Sequence, residues 1–419
     1  MPLHGGVILR RRASDIFSIA SVSWRRSRET DEGEIMHKVV VVSGFVAQYP
    51  QGGGVFSVVL QYLLGLRRLG CQVCWLELLW PQGGDDRALI RNFVGQLAAF
   101  GLEEDFRLIY SPRGQWPEAG PAREWYGFPQ ARFWRFCREA DLLLDLCYSV
   151  RPPDLIAAVR RTAFLDLDPG FMQLWMALGK IELPHDLFFT VGHNIGRPGC
   201  SVPAARVEWR TFWPPVDLEI WQDGESHAAA PFATVSQWWG YPPTYYDGEE
   251  YDGSKRTEFL HFIDLPATTG QAFELALNLA SFGGDREDRR LLMEKGWRIV
   301  DAHQVAGDLA SYRRYVQEAR AEFSVAKPGY VKSKSGWFSD RSACYLAAAR
   351  PVLVQETGFS AFLPTGRGVF GFTSLEQAVQ GVEEIRAHYP LHCQAAYDIA
   401  QEYFAAEKVL SKLLRDAGL

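Results

Sequence analysis

With 419 residues, 47% of them hydrophobic and 22% charged, the chain has a globular composition and is too long for one ordinary core, so two domains are expected. A formal net charge of −6 runs against a nucleic-acid partner, and no stretch of eighteen apolar residues provides a membrane span. Seven scattered cysteines, an odd number, suggest no disulfide framework.

Residues 1–35 stand apart as a leader. Arg10, Arg11 and Arg12 precede a short apolar stretch broken by serines, which makes a poor signal peptide. A disordered arm or a mis-called start is expected there, and the cytoplasm is the expected compartment. Met36 then opens HKVVVVSGF, where the run Val39 to Val42 is β-branched throughout, as in a strand buried on both faces of a parallel sheet. A Gly52-Gly53-Gly54 turn leads into a helix from Ser57 to Leu69 with Gly70 as its stop, and a strand follows from Gln72 to Leu79. Cys71 and Cys74 form a C-x-x-C at that strand, with no second pair to complete a zinc site.

A helix is expected over 86–100, then a variable Pro- and Gly-rich region to about Pro129. Strands follow over 141–146, 162–167 and 187–191, with a helix over 153–160. This alternation describes a doubly wound first domain, 36–222, closed by a junction at 212–221. A second α/β domain, 223–391, is expected to carry strands at 232–237, 297–300, 323–326 and 352–355. Its helices are placed at 270–280, 309–321 and 339–349. A long amphipathic helix, 392–417, fills the terminal segment 392–419. The fold class is therefore α/β, with two Rossmann-like doubly wound domains facing across a cleft.

The most informative stretch is KPGYVKSKSGWFSDRSACYLAAARPVLV. Lys327, Lys332 and Lys334 lie in a loop from a strand end into a helix that Ser339 can cap, with Asp340 and the forked donor Arg341 in its first turn. A helix N-terminus with nearby cations suits a diphosphate at the carboxyl edge of a sheet. The same residues also fit a solvated basic loop with an ordinary cap. Asp166 and Asp168 in AFLDLDPGF and His193 after LFFTV fall at strand carboxyl ends, where a base for an acceptor proton belongs; turn capping or core hydrogen bonding would equally explain them. Asp166-Leu-Asp168 also satisfies the D-x-D pattern of divalent-metal sites. Trp238, Trp239, Tyr241, Tyr245 and Tyr246 form an aromatic cluster that could stack on a base or sugar, or simply pack.

The stretch 323–354 followed by Glu356-Thr-Gly358 and LPTGRGVFGFTSLEQAV resembles the donor half of GT-B glycosyltransferases. The tail Tyr403-Phe404-AAEKVLSKLL is similar to their final helix, which crosses back to the first domain, and Pro215-Val-Asp-Leu-Glu-Ile-Trp221 resembles their interdomain segment. The resemblance implies transfer of a sugar from a nucleotide-sugar donor to a small-molecule or glycan acceptor, with no metal or other cofactor. It implies donor-binding roles for Gly52, Gly53, Gly54, Lys255, Lys334, Ser339, Asp340 and Arg341, with Asp166, Asp168 or His193 as the catalytic group. The glutamate pair common in retaining members is missing: its positions fall near Cys344 and near Gly336 or Trp337. A nucleotide-sugar epimerase, or a non-catalytic nucleotide-sugar-binding protein on the same scaffold, is the alternative. A dehydrogenase is disfavoured because the glycine turn lacks G-x-G-x-x-G spacing.

Overall fold

A computed structural model describes residues 36–112, 123–149, 153–222, 228–279 and 283–419. The leader 1–35 and the first part of the acidic stretch after the junction lie outside the described residues.

The first sheet has eight strands: β1 Lys38–Ser43, β2 Gln72–Leu79, β3 Phe106–Tyr110, β4 Glu124–Gly127, β5 Leu142–Leu146, β6 Thr162–Asp166, β7 Leu187–Thr190 and β8 Trp209–Thr211. They lie in the order β4-β3-β2-β1-β5-β6-β7-β8, all parallel except β4, which runs antiparallel to β3. The order reverses beside β1, between β2 and β5, so the loops after β1 and β5 open a crevice at the carboxyl edge. Val39 to Val42 are fully buried because helices cover both faces of this central strand.

The second sheet is built from β9 Phe232–Gln237, β12 Phe273–Asn278, β13 Arg298–Asp301, β14 Ala321–Ser324, β15 Val352–Gln355 and β16 Val369–Phe372. Between β9 and β12, an antiparallel hairpin pairs β10 Thr244–Tyr246 with β11 Glu249–Tyr251. The six-stranded order is β13-β12-β9-β14-β15-β16, all parallel, with its own reversal at β9 and β14. Two Rossmann-like domains thus turn their carboxyl edges toward one cleft.

Three expectations about elements are corrected. The segment 270–280, expected as a helix, contains β12: its FELALN has good helix formers, but a slot between β9 and β13 buries it and decides the conformation. The variable region to Pro129 holds β3 and the antiparallel β4, and the helix Gln130–Glu139 follows it. The final helix is two helices, Tyr389–Ile399 and Ala406–Asp416, joined by a π turn at Ala400–Phe404. The break lets Phe404 O accept from Val216 N at 2.8 Å and Ala406 N donate to Val216 O at 2.9 Å. The chain therefore crosses between the domains twice at one place. Beyond the crossing, Val409, Leu410, Leu413 and Leu414 join the core of the first domain. Among the described residues no helix is long and apolar enough to cross a membrane.

Candidate functional site

The helix Gly53–Arg68 of the first domain and the helix Asp340–Ala347 of the second both begin at the cleft and line one cavity of about 170 Å³. Ser339 caps the second helix, its hydroxyl accepting from Arg341 N at 3.2 Å. The first helix starts at Gly52 without a side-chain cap, which leaves its first-turn N–H groups open. Gly53 is required for a close approach: a Cβ there would stand 2.1 Å from the Asp308 carbonyl oxygen of the second domain. The glycine turn thus brings the two domains into contact where the helix dipole points into the cleft.

Lys255 sits at the N-cap of the helix Arg256–His261, with its ammonium 5.5 Å from the ring of Trp337, which lines the cavity. Burial, then the charges of Arg341 and Lys327, hold its pKa well below the ordinary lysine value, with Glu322 and Asp340 opposing. Among the described residues no carboxylate comes within ion-pair distance of it. Lys255 is half-buried, and a partly desolvated cation without an acidic partner carries a cost that an anionic ligand would relieve. Asp340 lines the same cavity from an exposed position, with the cations Arg341 and Lys255 within electrostatic range.

Arg341 has a different job from the one its sequence context suggests. Its Nε bonds Glu322 at 2.7 Å, Nη1 the Val235 carbonyl at 2.9 Å and Nη2 the Ser324 hydroxyl at 2.5 Å. Glu322 is completely buried in β14, so the guanidinium neutralises the sheet interior instead of presenting a free fork to phosphate. Lys334 is exposed at the left-handed end of a short helix, Pro328–Ser333, within what the sequence suggested was a loop. Its carbonyl accepts from Asn194 Nδ2 at 2.9 Å, and the residue does not line the cavity.

The three candidate bases each have partners in the fold. Asp166 is fully buried and accepts from Gln173 at 2.6 Å, Thr190 at 2.7 Å and its neighbour's backbone, Asp168 N, at 3.1 Å; burial pushes its pKa up to about 6. Asp168 is held by the second domain, paired to Lys327 at 2.7 Å and bonded by the Tyr330 hydroxyl. The two carboxylates thus have different partners, Asp166 within its own domain and Asp168 in the second. His193 stacks on Trp213 at 3.7 Å between ring centroids, with Nε2 at 3.2 Å from the Phe212 carbonyl. Burial, with Arg197 and Lys412 nearby, lowers its pKa to about 4, which makes it a weak base at neutral pH. Its backbone acts as a clamp: His193 N and Asn194 N donate to Gly336 O and Ser335 O. Gly336 has φ +75°, and a Cβ there would stand 2.8 Å from Asn194 N.

One buried acid escaped notice. Glu77 lies completely buried within β2, and its Oε1 accepts from Val46 N and Ala47 N, both at 2.9 Å, while Oε2 takes the Ser43 hydroxyl. It shapes the loop that carries Phe45 to the cavity. A lone acid inside QVCWLELL was the available signal. Burial raises its pKa from 4.5 to about 7, against the opposing pull of those hydrogen bonds. Between those pH values the folded chain holds a proton that the unfolded chain has released, so stability falls as pH rises through the window. Glu77→Gln keeps the acceptor and escapes the penalty. It is expected to match wild type in urea denaturation at pH 4.5 and exceed it by about 3 kcal/mol at pH 8; equal stability at both pH values would contradict the assignment.

Two Rossmann-like domains opposed across a cleft, with a final helix returning to the first, constitute the GT-B fold. No family model and no curated protein matches the chain, but solved structures do. An α-glucosyltransferase in complex with UDP and a 13-mer DNA containing a HMU base superposes with a TM-score of 0.57 at 9% identity, over 92% of this chain and 100% of the other. Anabaena Alr3699/HepE in complex with UDP-glucose does so with a TM-score of 0.54 at 13% identity, over 91% and 99%.

Proposed function

We propose that the protein is a glycosyltransferase that moves a sugar from a nucleotide-sugar donor to an acceptor hydroxyl without a metal ion. The observation that carries this reading is Lys255, a half-buried cation with no carboxylate at ion-pair distance among the described residues, placed in the cleft of a GT-B fold. The diphosphate would lie between Lys255 and the N-termini of Gly53–Arg68 and Asp340–Ala347. Those groups would stabilise the charge that collects on the leaving phosphate, the task a divalent cation performs elsewhere. Arg341 supports the site from behind, holding the strand end and the helix start together through Glu322, Val235 and Ser324. The fold neighbours bind UDP or UDP-glucose, which makes uridine nucleotides the first donors to try. A net charge of −6 favours a small-molecule or glycan acceptor over a polyanion.

The test is a thermal-shift panel with nucleoside diphosphates and their sugar conjugates, with and without manganese. A ligand at a hundred times its Kd contributes about 2.7 kcal/mol, a rise of several degrees. One nucleotide family should raise the melting temperature without metal. A rise only with manganese would contradict the metal-free site, and no rise with any nucleotide would sink the proposal.

A further inference from the structure

The cavity has two unlike walls. From the first domain come Phe45, Val55, Val58, Leu167 and Val191, delivered by the loop after β1, the helix Gly53–Arg68 and the carboxyl ends of β6 and β7. Polar groups are few on that side, and two of them are already engaged. Gln61 donates to Ser57 Oγ at 3.0 Å and accepts from Asp217 N at 2.6 Å. Tyr62 differs: its hydroxyl is buried with no hydrogen-bond partner among the described residues. The Asp340 carboxylate stands within electrostatic range of that phenol and lines the same cavity.

From these walls we infer that the acceptor is a small, largely apolar alcohol, such as a monocyclic phenol, whose single hydroxyl sits between Tyr62 and Asp340. The inference rests on the glycosyltransferase reading and names its acceptor class. A free sugar carries a hydroxyl on nearly every carbon. Each one pressed unpaired against this wall costs roughly tenfold or more in affinity. One open phenol and one carboxylate satisfy a single hydroxyl. A volume of about 170 Å³ is below the usual range for drug-sized ligands and holds a ring with a short substituent.

Asp340 is the group placed to take the proton. A carboxylate at the first position of a helix whose N-terminus receives a diphosphate would repel that diphosphate if aimed at it. Aimed at the acceptor, it acts as a base. The step balances: the acceptor O–H proton passes to Asp340, the acceptor oxygen forms a bond to the sugar's anomeric carbon, and the bond from that carbon to the phosphate oxygen breaks. The nucleoside diphosphate leaves with the electron pair. Tyr62 positions the acceptor oxygen by donating its hydroxyl hydrogen.

The experiment offers the full chain, with the nucleotide sugar that gives the largest thermal shift, to monocyclic phenols and cyclohexyl alcohols on one side and glucose and maltose on the other, with glycosides detected by mass spectrometry. Phenols or cyclohexyl alcohols should be glycosylated in preference to the sugars. Tyr62→Phe should raise the acceptor KM about tenfold with kcat largely kept. Asp340→Asn should lower kcat about 100- to 10,000-fold and remove the acid limb of the pH–rate profile. Val58→Trp, which fills the cavity, should raise the acceptor KM at least about tenfold while the nucleotide shift persists. Preference for the sugars, or no glycoside from any alcohol while the nucleotide shift persists, overturns the inference. Absence of any nucleotide shift in the wild-type protein overturns the reading beneath it.

Discussion

Lys255→Met should make the ligand-free protein more stable and its nucleotide binding far weaker. The ammonium is half-buried, and among the described residues no carboxylate is within ion-pair reach, so its removal relieves a folding penalty. The same change takes away a charge-assisted contact, worth about 1.5–3 kcal/mol in typical cases, at the place where the diphosphate is expected. Affinity for the preferred nucleoside diphosphate should therefore fall roughly 10- to 150-fold in calorimetric titration. A residue kept for packing would behave in the opposite way, with lower stability and unchanged affinity. Opposite movement of the two quantities is the signature; unchanged nucleotide affinity would remove Lys255 from the site.

The second large effect concerns Arg341. Truncation to Ala leaves the wholly buried Glu322 carboxyl without its partner, and losing one member of such a pair costs about 3–5 kcal/mol. Arg341→Ala should accordingly reduce stability in urea denaturation by about that much and weaken ligand binding only through the damaged sheet edge. The double replacement Glu322→Leu with Arg341→Met removes both charges together and should recover most of the stability. Nucleotide affinity within a few-fold of wild type in that double variant would support a structural arginine. Stability recovered while affinity stays lost would return Arg341 to direct contact with the donor.

The sequence carried the fold further than it carried the site. Continuous apolar strands such as Val39 to Val42, the glycine stop at Gly70 and the turn residues between elements mark alternating β and α units locally, and that alternation fixes the layer architecture. β12 was hidden because helix propensity in FELALN competes with a burial that only the assembled sheet creates. The same limit applies to three candidate site residues. Asp166, Asp168 and Arg341 all sit at sheet edges, as their neighbours in sequence suggested. Whether a side chain there faces a ligand or a partner depends on residues far along the chain: Thr190 and Gln173 for the first, Lys327 and Tyr330 for the second, Glu322 for the third. Lys255 was found through the resemblance, and its isolation could be read only once every neighbouring carboxylate had been located.

The double crossing at Val216 and Ala405 has a consequence for how the protein is made. Every strand of the first sheet has been translated by Thr211, yet that domain lacks a wall. The helix Ala406–Asp416 packs against Gly53–Arg68, where Leu410 and Ala406 lie so near Gly65 that a Cβ there would stand 2.5 Å and 2.7 Å from them. Nascent domains commonly fold in order as they emerge. This one must hold an apolar groove open while the whole second domain is synthesised, and it closes only when Ala406–Asp416 leaves the ribosome. Premature termination near the end of the message would therefore strike the part of the molecule that was built first.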